Sequence, residues 1–469
     1  MTIDTTSIGR RLDSLPWTRV QTMIALGLGA GWLFDSLEVN LVGSVINPLE
    51  KHFGAGPLTG QFVFFSWLVG ILVGALAGGR LADRFGRRRL FVATLLWYAT
   101  FTVLTGLSPS IYVVIVLRFL TGLGVGAEYS IINSAIAELM PARHRGKAGA
   151  AVMNFWPVGA IASGLLAYWL LNTLKLSDSV SWRYGFALGG VLALVVLIFR
   201  RRLPESPRWL ASQGRAADAE AVVADLERRS GVSTLAPVDG ADVEVATPTF
   251  GAALRELVGR YPGRLALGCL LDLSEAFGYY GIFALLSLVV LPAINIPAAQ
   301  IPFFFIMGNV GALAGGLTMT ALFDRLGRRR TVLTAYSLAA AGVVLLAAAT
   351  ATKSGTLVLL AFMVSNAFAT AAWTTAYPTF TELFPTHLRG AGVGMSVAVG
   401  RVGAAFGVLL VTTIAQTTSF TVGYALVIGF WLLGVVAMVV FSARGGPEAA
   451  RRPLELVTAG GPALGQAAA

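Results

Sequence analysis

Long apolar runs broken by short polar ones set the rhythm of this chain. Twelve apolar segments lie near 20–46, 59–81, 89–107, 110–139, 147–171, 183–200, 264–292, 299–322, 331–350, 355–383, 389–415 and 419–442. About 20 mostly apolar residues in helical form cross a ~30 Å hydrocarbon core, so the pattern predicts twelve transmembrane helices. Between the sixth and seventh lies the longest polar stretch, Arg201 to Arg260. Within it, RAADAEAVVADLERR has helical spacing, GVSTLAPVDGADVEVATPTF reads as a flexible linker, and FGAALRELVGRYPGR reads as a second short amphipathic helix. A stretch of that size, with no Gly-rich phosphate loop and no metal cluster, is too short for an enzyme domain. The Gly/Pro/Ala-rich tail after Ala443 is expected to be disordered. The expected divisions are an N-terminus at 1–19, a six-helix bundle at 20–200, a central loop with short helices at 201–262, a second bundle at 263–443 and the tail at 444–469.

Composition agrees. Of 469 residues 56% are hydrophobic and 13% charged, and the mean hydropathy is +0.73. A soluble domain carries about 25% charged residues, so most of this chain does not face water. The net charge of +11 would point to nucleic acid in a soluble protein. Here the charge sits in short runs between spans (DRFGRRR, ARHRGK, DRLGRRR), the pattern of cytoplasmic loops. The expectation is therefore a multi-pass protein of the inner (plasma) membrane with both termini cytoplasmic, whose partners are the lipid bilayer and a small-molecule substrate, with no nucleic acid. A functional monomer is expected. Cys269 is the single cysteine, so no disulfide framework exists. The three histidines fall in loops and none marks a metal site. No cofactor is expected beyond a proton gradient.

The two halves repeat. GGRLADRFGRRRL after span 2 returns as MTALFDRLGRRRT after span 8, and AELMPARHRG after span 4 returns as TELFPTHLRG after span 10. The offsets, Asp83 to Asp324 and Arg145 to Arg389, are nearly equal. Two pseudo-symmetric six-helix bundles follow, a design suited to alternating access around a midplane site. Glu138 and Glu382 recur beside the second pair of loops and read as part of a cytoplasmic network.

Charges inside the spans carry the chemistry. An ionised group in hydrocarbon costs at least ~2.5–3.5 kcal/mol, yet span 1 holds Asp35 and Glu38, and span 7 holds Asp272 and Glu275 at the same i,i+3 spacing. Each pair faces one side of its helix. Intramembrane carboxylates mark ion or substrate paths, although capping a helix break is a simpler alternative. Arg118 in span 4 and Arg401 in span 11 supply opposite charge. Asp35 or Glu38 with Arg118 would form a proton-sensitive pair. Arg401 has no acid nearby in its own span, and guanidinium matches carboxylate in two parallel hydrogen bonds, so it is a candidate anchor for an anionic ligand. The alternative is that it pairs with one of the acids. Glu128, Tyr129, Asn133, Trp156, Tyr279, Tyr280, Asn309, Trp373 and Tyr377 are further candidates near the expected cavity.

These motifs resemble the major facilitator superfamily across the whole membrane portion. Gly79, Asp83, Arg84, Gly86, Arg87 and Arg89 match its loop motif between spans 2 and 3. The second copy keeps Asp324, Arg325, Gly327, Arg328 and Arg330 but has Thr320 at the first Gly position. The resemblance implies an all-α, twelve-helix fold and a latch in which a carboxylate sits against a helix N-terminus. RFLTGLGVGAEYS and LPESPRWL are similar to the branch holding sugar porters, organic-ion porters and aromatic-acid symporters. In it, Glu205 and Arg208 would pair with the Arg clusters at the cytoplasmic ends of spans. Asp35 and Glu38 fall on the acidic positions of the D-G-x-D motif of aromatic-acid/proton symporters, departing from it at Ser36 and Glu38. In the same branch Arg118 would pair with the span-1 carboxylate. Span 7 lacks the paired Gln that sugar porters use for hydroxyls, having Leu271 and Asp272 there. The expected function is secondary active transport with no enzyme chemistry, namely proton symport of a small organic anion such as an aromatic acid. Sugar or polyol symport and proton-coupled export of an organic cation or drug are the alternatives.

Overall fold

The computed structural model describes residues 5–174, 176–200, 203–232, 250–297, 300–452 and 457. Most of the expected central linker and of the tail beyond 452, together with Lys175, Arg201 and Arg202, lies outside the described residues.

Among the described residues the chain is helical throughout, with no strand. A short α1 (Thr5–Ser14) precedes the first half, which comprises α2 (Arg19–Phe53), α3 (Pro57–Phe85), α4 (Arg87–Gly106), α5 (Ile111–Leu139), α6 (Arg145–Met153), α7 (Phe155–Tyr168) and α8 (Asp178–Arg200). Three short helices follow: α9 (Pro207–Ser212), α10 (Ala216–Ser230) and α11 (Phe250–Arg260). The second half holds α12 (Pro262–Leu285), α13 (Leu291–Ala293), α14 (Ile301–Leu326), α15 (Arg328–Ala351), α16 (Gly355–Leu383), α17 (Thr386–Thr417) and α18 (Phe420–Ala443). Eleven of these stretches are long and apolar enough to span a bilayer, and α8 contributes a shorter apolar core, Ser179–Val195. A π-helical turn, Leu286–Val290, links α12 to α13 in one span.

Local chemistry sets the helix starts. Thr18 and Gln21 form a reciprocal capping box at α2. Ser110, Ser354 and Ser419 each cap an N-terminus by accepting a backbone N–H. Span 5, expected as one helix, breaks at Asn154 between α6 and α7. Asn154 turns its amide to Ala150 O and to Thr320 of the other half, both within 2.9 Å.

The sixfold helix sets pack within themselves as α3 on α5, α2 on α7 and α4 on α8, mirrored by α14 on α16, α12 on α17 and α15 on α18. The halves meet where α17 lies on α3 and α14 lies on α6 and α7. All the repeated basic loops fall at one end, the basic face.

Candidate functional site

Glu38 and Asp35 share α2 but differ in partner. Arg118, carried in by α5, forms a buried ion pair with Glu38, and Thr102 of α4 donates to the same Glu38 oxygen at 2.7 Å. The Arg118 guanidinium also lies over the rings of Trp67 and Phe186, at 5.8 and 5.6 Å, where cation–π attraction offsets part of its desolvation. Of the two acids in span 1, Glu38 is therefore the one that meets Arg118. Asp35 is fully buried one turn away and lies within electrostatic reach of Tyr129.

In the second half Asp272 and Glu275 are buried on α12, and Arg401 projects from α17. Arg401 Nη2 stands 3.9 Å from Asp272 Oδ2, at the outer limit of an ion pair. Its other contacts are loose: 3.4 Å to the hydroxyls of both Tyr280 and Tyr377, with the rings of Tyr129 and Tyr280 at 5.7 Å. Its Nε has no hydrogen-bond partner within the protein. The expectation that Arg401 lacks an acid holds within its own helix, whereas α12 brings Asp272 to it. A guanidinium has five donors in a fixed fork, and two long bonds leave capacity for a carboxylate.

Arg401 and Glu275 line a small cavity together with Trp32, Tyr129, Trp156, Tyr279, Tyr280, Trp373 and Tyr377. The free space between these walls is about 10 Å³, room for little more than one water, so a ligand enters only when the aromatic side chains part. Trp32 is the centre of the aromatic wall. It stacks on Tyr129 (4.6 Å, 17°) and meets Trp156, Trp373 and Tyr377 edge-on at 5.4–5.9 Å. Trp156 Nε1 reaches the Tyr279 hydroxyl across the bundle interface at 3.3 Å. Trp32 was not singled out as a ligand contact from the sequence, although its place one turn before Asp35 was the available signal.

Four candidates do not line this cavity: Asp272, which approaches Arg401 instead, and Glu128, Asn133 and Asn309. Asn133 donates to Tyr129 O and Asn309 to Phe305 O, each one turn back on its own helix, where the carbonyl has a second lone pair for a buried amide to use. Glu128 is fully buried within α5.

At the basic face the repeated loops build two matching networks. Arg87 binds Asp83 (2.8 Å) and Glu138 (2.9 Å), and Arg328 binds Asp324 (2.6 Å) and Glu382 (2.8 Å). Gly86 and Gly327, at φ 92° and 85°, make the turn between helices that only glycine adopts without strain. Each motif Asp sits against the opposite half, as the resemblance implies. Asp324 accepts from Lys147 N at 2.8 Å in the first turn of α6, and Asp83 packs against Gly390 near the start of α17, where the helix dipole favours negative charge. Gly79 also meets Gly390, backbone on backbone. Arg389 adds a contact to Glu138 across the halves at 3.5 Å.

Some expected members play other parts. Arg84, Arg89, Arg325 and Arg330 are exposed and enter none of these pairs. Glu205 accepts from the backbone N–H groups of Arg87 and Arg88, at 2.9 and 3.2 Å, at the N-terminus of α4, and lies within electrostatic reach of the Arg87 side chain. Arg208 donates to Ala137 O and to Asp13. Asp13, missed in the sequence, also binds Arg145 at 3.1 Å and caps Ala142 N. Beside it Arg11 pins α1 to α10 through Glu220 (2.6 Å) and Glu227 (2.7 Å). In the tail, Glu448 accepts from Arg328 N (2.9 Å) and Arg329 N (3.1 Å). Burial and the adjacent Arg143 hold His144 below its ordinary pKa, so it stays neutral at this face.

Known proteins agree with this architecture. A family model described as Sugar (and other) transporter matches residues 47–460. The niacin transporter NiaP of Acinetobacter baylyi is 27% identical over 404 residues, covering 86% of this chain and 89% of that one. A gallate transporter of Pseudomonas putida is 27% identical over 433 residues, covering 91% of each. The solved proton:xylose symporter XylE superposes with a TM-score of 0.78 at 20% identity, covering 93% of this chain and 98% of that one, and so shares the fold. With twelve apolar helices in two matching bundles and a family model spanning nearly all of them, the chain belongs to the sugar (and other) transporter family of major facilitator membrane transporters.

Proposed function

We propose that the protein carries a small aromatic carboxylate across the inner (plasma) membrane together with a proton, by alternating access, with both termini in the cytoplasm. One observation carries this reading. Arg401 stands in a small cavity walled by indole and phenol rings, with loose protein contacts and an unpaired Nε. A planar acid would give its carboxylate to Arg401 in bidentate form and its ring to the aromatic wall. The named cargoes of two relatives, niacin and gallate, belong to this chemical class.

Proton coupling is assigned to Glu38 and Arg118. Protonation of Glu38 removes the charge that holds Arg118, and the freed guanidinium must find another partner or move toward water. Because Glu38 and Trp32 ride on the same helix, a shift of α2 on protonation reaches the aromatic wall. The basic-face networks then open and close as the cytoplasmic gate. The substrate and the proton gradient suffice as partners, with no cofactor.

Sugar or polyol symport is favoured by the XylE fold and by the breadth of the family. Sugar hydroxyls are best met by amides, and no Asn or Gln lines the cavity among the described residues. An organic cation would meet Glu275 but also the fixed charge of Arg401. The test is uptake into proteoliposomes under an imposed pH gradient, across aromatic acids, sugars and organic cations. Accumulation of acids that collapses with the gradient is expected. Gradient-independent uptake, or accumulation of sugars only, overturns the proposal.

A further inference from the structure

We infer that Glu275 is the residue that reads the ring of the substrate, selecting small aromatic monocarboxylates that carry a ring nitrogen or a hydroxyl over unsubstituted ones. This rests on the carboxylate-transport reading above and assigns its second polar contact.

Glu275 lies on α12, one turn beyond Asp272, 4% exposed, and lines the same cavity as Arg401. Its Oε2 has no hydrogen-bond partner within the protein. Buried polar atoms in folded proteins are nearly always satisfied, and leaving one orphaned is costly. The neighbouring indoles and phenols cannot remove that cost by stacking, because ring faces offer a carboxyl group no proper bond. A ligand can. With its carboxylate on Arg401, a one-ring acid admitted among these aromatic side chains turns its far edge to the wall that Glu275 lines. A protonated Glu275 donates to a ring nitrogen, and an ionised one accepts from a ring hydroxyl. Plain benzoate does neither and keeps Oε2 orphaned. Sites built to hydrogen-bond a polar group discriminate strongly against analogues lacking it. Asp272 cannot take this part, because it stands 3.9 Å behind Arg401 and is not part of the cavity wall.

The experiment is equilibrium binding to the full-length protein in lipid nanodiscs. The ligands are benzoate, the three hydroxybenzoates and the three pyridinecarboxylates, and the proteins are wild type, Glu275→Gln and Glu275→Met. In the wild type at least one isomer of each polar series is expected to bind about tenfold or more tightly than benzoate. Glu275→Met should erase that advantage, and the benzoate binding that remains shows that the variant is folded. If Glu275→Met binds no benzoate, Glu275→Gln decides, with the advantage of the hydroxybenzoates reduced because a neutral amide oxygen accepts less strongly than a carboxylate. An advantage that persists in Glu275→Met, a hydroxybenzoate advantage undiminished in Glu275→Gln, or no advantage in the wild type overturns the inference but leaves carboxylate transport standing. A wild type that binds none of these acids overturns both.

Discussion

Glu448 stands at the N-terminus of α15 as Glu205 stands at that of α4, each accepting the first two backbone N–H groups of its helix. The two residues follow a proline and lie 243 positions apart, between the 241 and 244 that relate the two pairs of basic loops. Each anion therefore joins a helix dipole to the Arg that follows, Arg87 in one half and Arg328 in the other.

Replacing either glutamate by glutamine should destabilise the protein by a similar amount. A hydrogen bond to a charged group contributes about 1.5–3 kcal/mol, and two are weakened in each case. The two networks sit in different bundles, so the effects should add in the double variant. Thermal melting of the purified single and double variants checks both statements. A loss confined to Glu205→Gln would show that Glu448 is not its counterpart.

Thr320 occupies the position where its repeat partner is Gly79, and its hydroxyl accepts from Asn154 across the interface at 2.8 Å. Thr320→Val keeps the shape and removes that bond. One neutral hydrogen bond nets ~1 kcal/mol, close to a fivefold change in an equilibrium. The population open at the basic face should rise by that factor. Spin-label distances between Arg89→Cys and Arg330→Cys, both exposed sites, measure it.

The Glu38–Arg118 pair separates charge from chemistry. Glu38→Gln should abolish pH-driven accumulation yet retain counterflow exchange of the acid. Arg118→Ala should be worse in a different way, because an unpartnered buried carboxylate costs about 3–5 kcal/mol of stability. Paired counterflow and melting assays distinguish them. Equal pH-driven accumulation in Glu38→Gln and wild type would move the proton site elsewhere.

Gly400 packs so tightly on α12 that a Cβ there would overlap the Asp272 carboxylate. Gly400→Ala should cost about 1–3 kcal/mol by overpacking and displace Asp272 from Arg401. Weaker binding of aromatic acids with the fold retained is the expected outcome, read by titration and melting. Unchanged affinity would show that the 3.9 Å spacing does not matter to the ligand.

Much of this was legible in the chain. Twelve apolar runs, repeated loops and four intramembrane acids are local patterns, and length in hydrocarbon translates directly into spans. Which acid meets which arginine was not, because i,i+3 spacing places Asp35 and Glu38 on one face without saying what packs there. The manner in which Glu205 meets the Arg cluster was hidden for a related reason: sequence shows side-chain charges, while Glu205 also accepts from backbone N–H groups freed by a glycine turn.

The sequence by itself determined the two-bundle membrane architecture, the basic face and the residue types available for an anion and a proton. Tertiary structure alone decided that Glu38 takes Arg118, that Asp272 is brought to Arg401, and that Trp32 closes an aromatic cavity with residues of α5, α7, α12 and α16. Periodicity fixes which residues share one helix face, but contacts between helices 80 or more residues apart depend on how those faces rotate and pack.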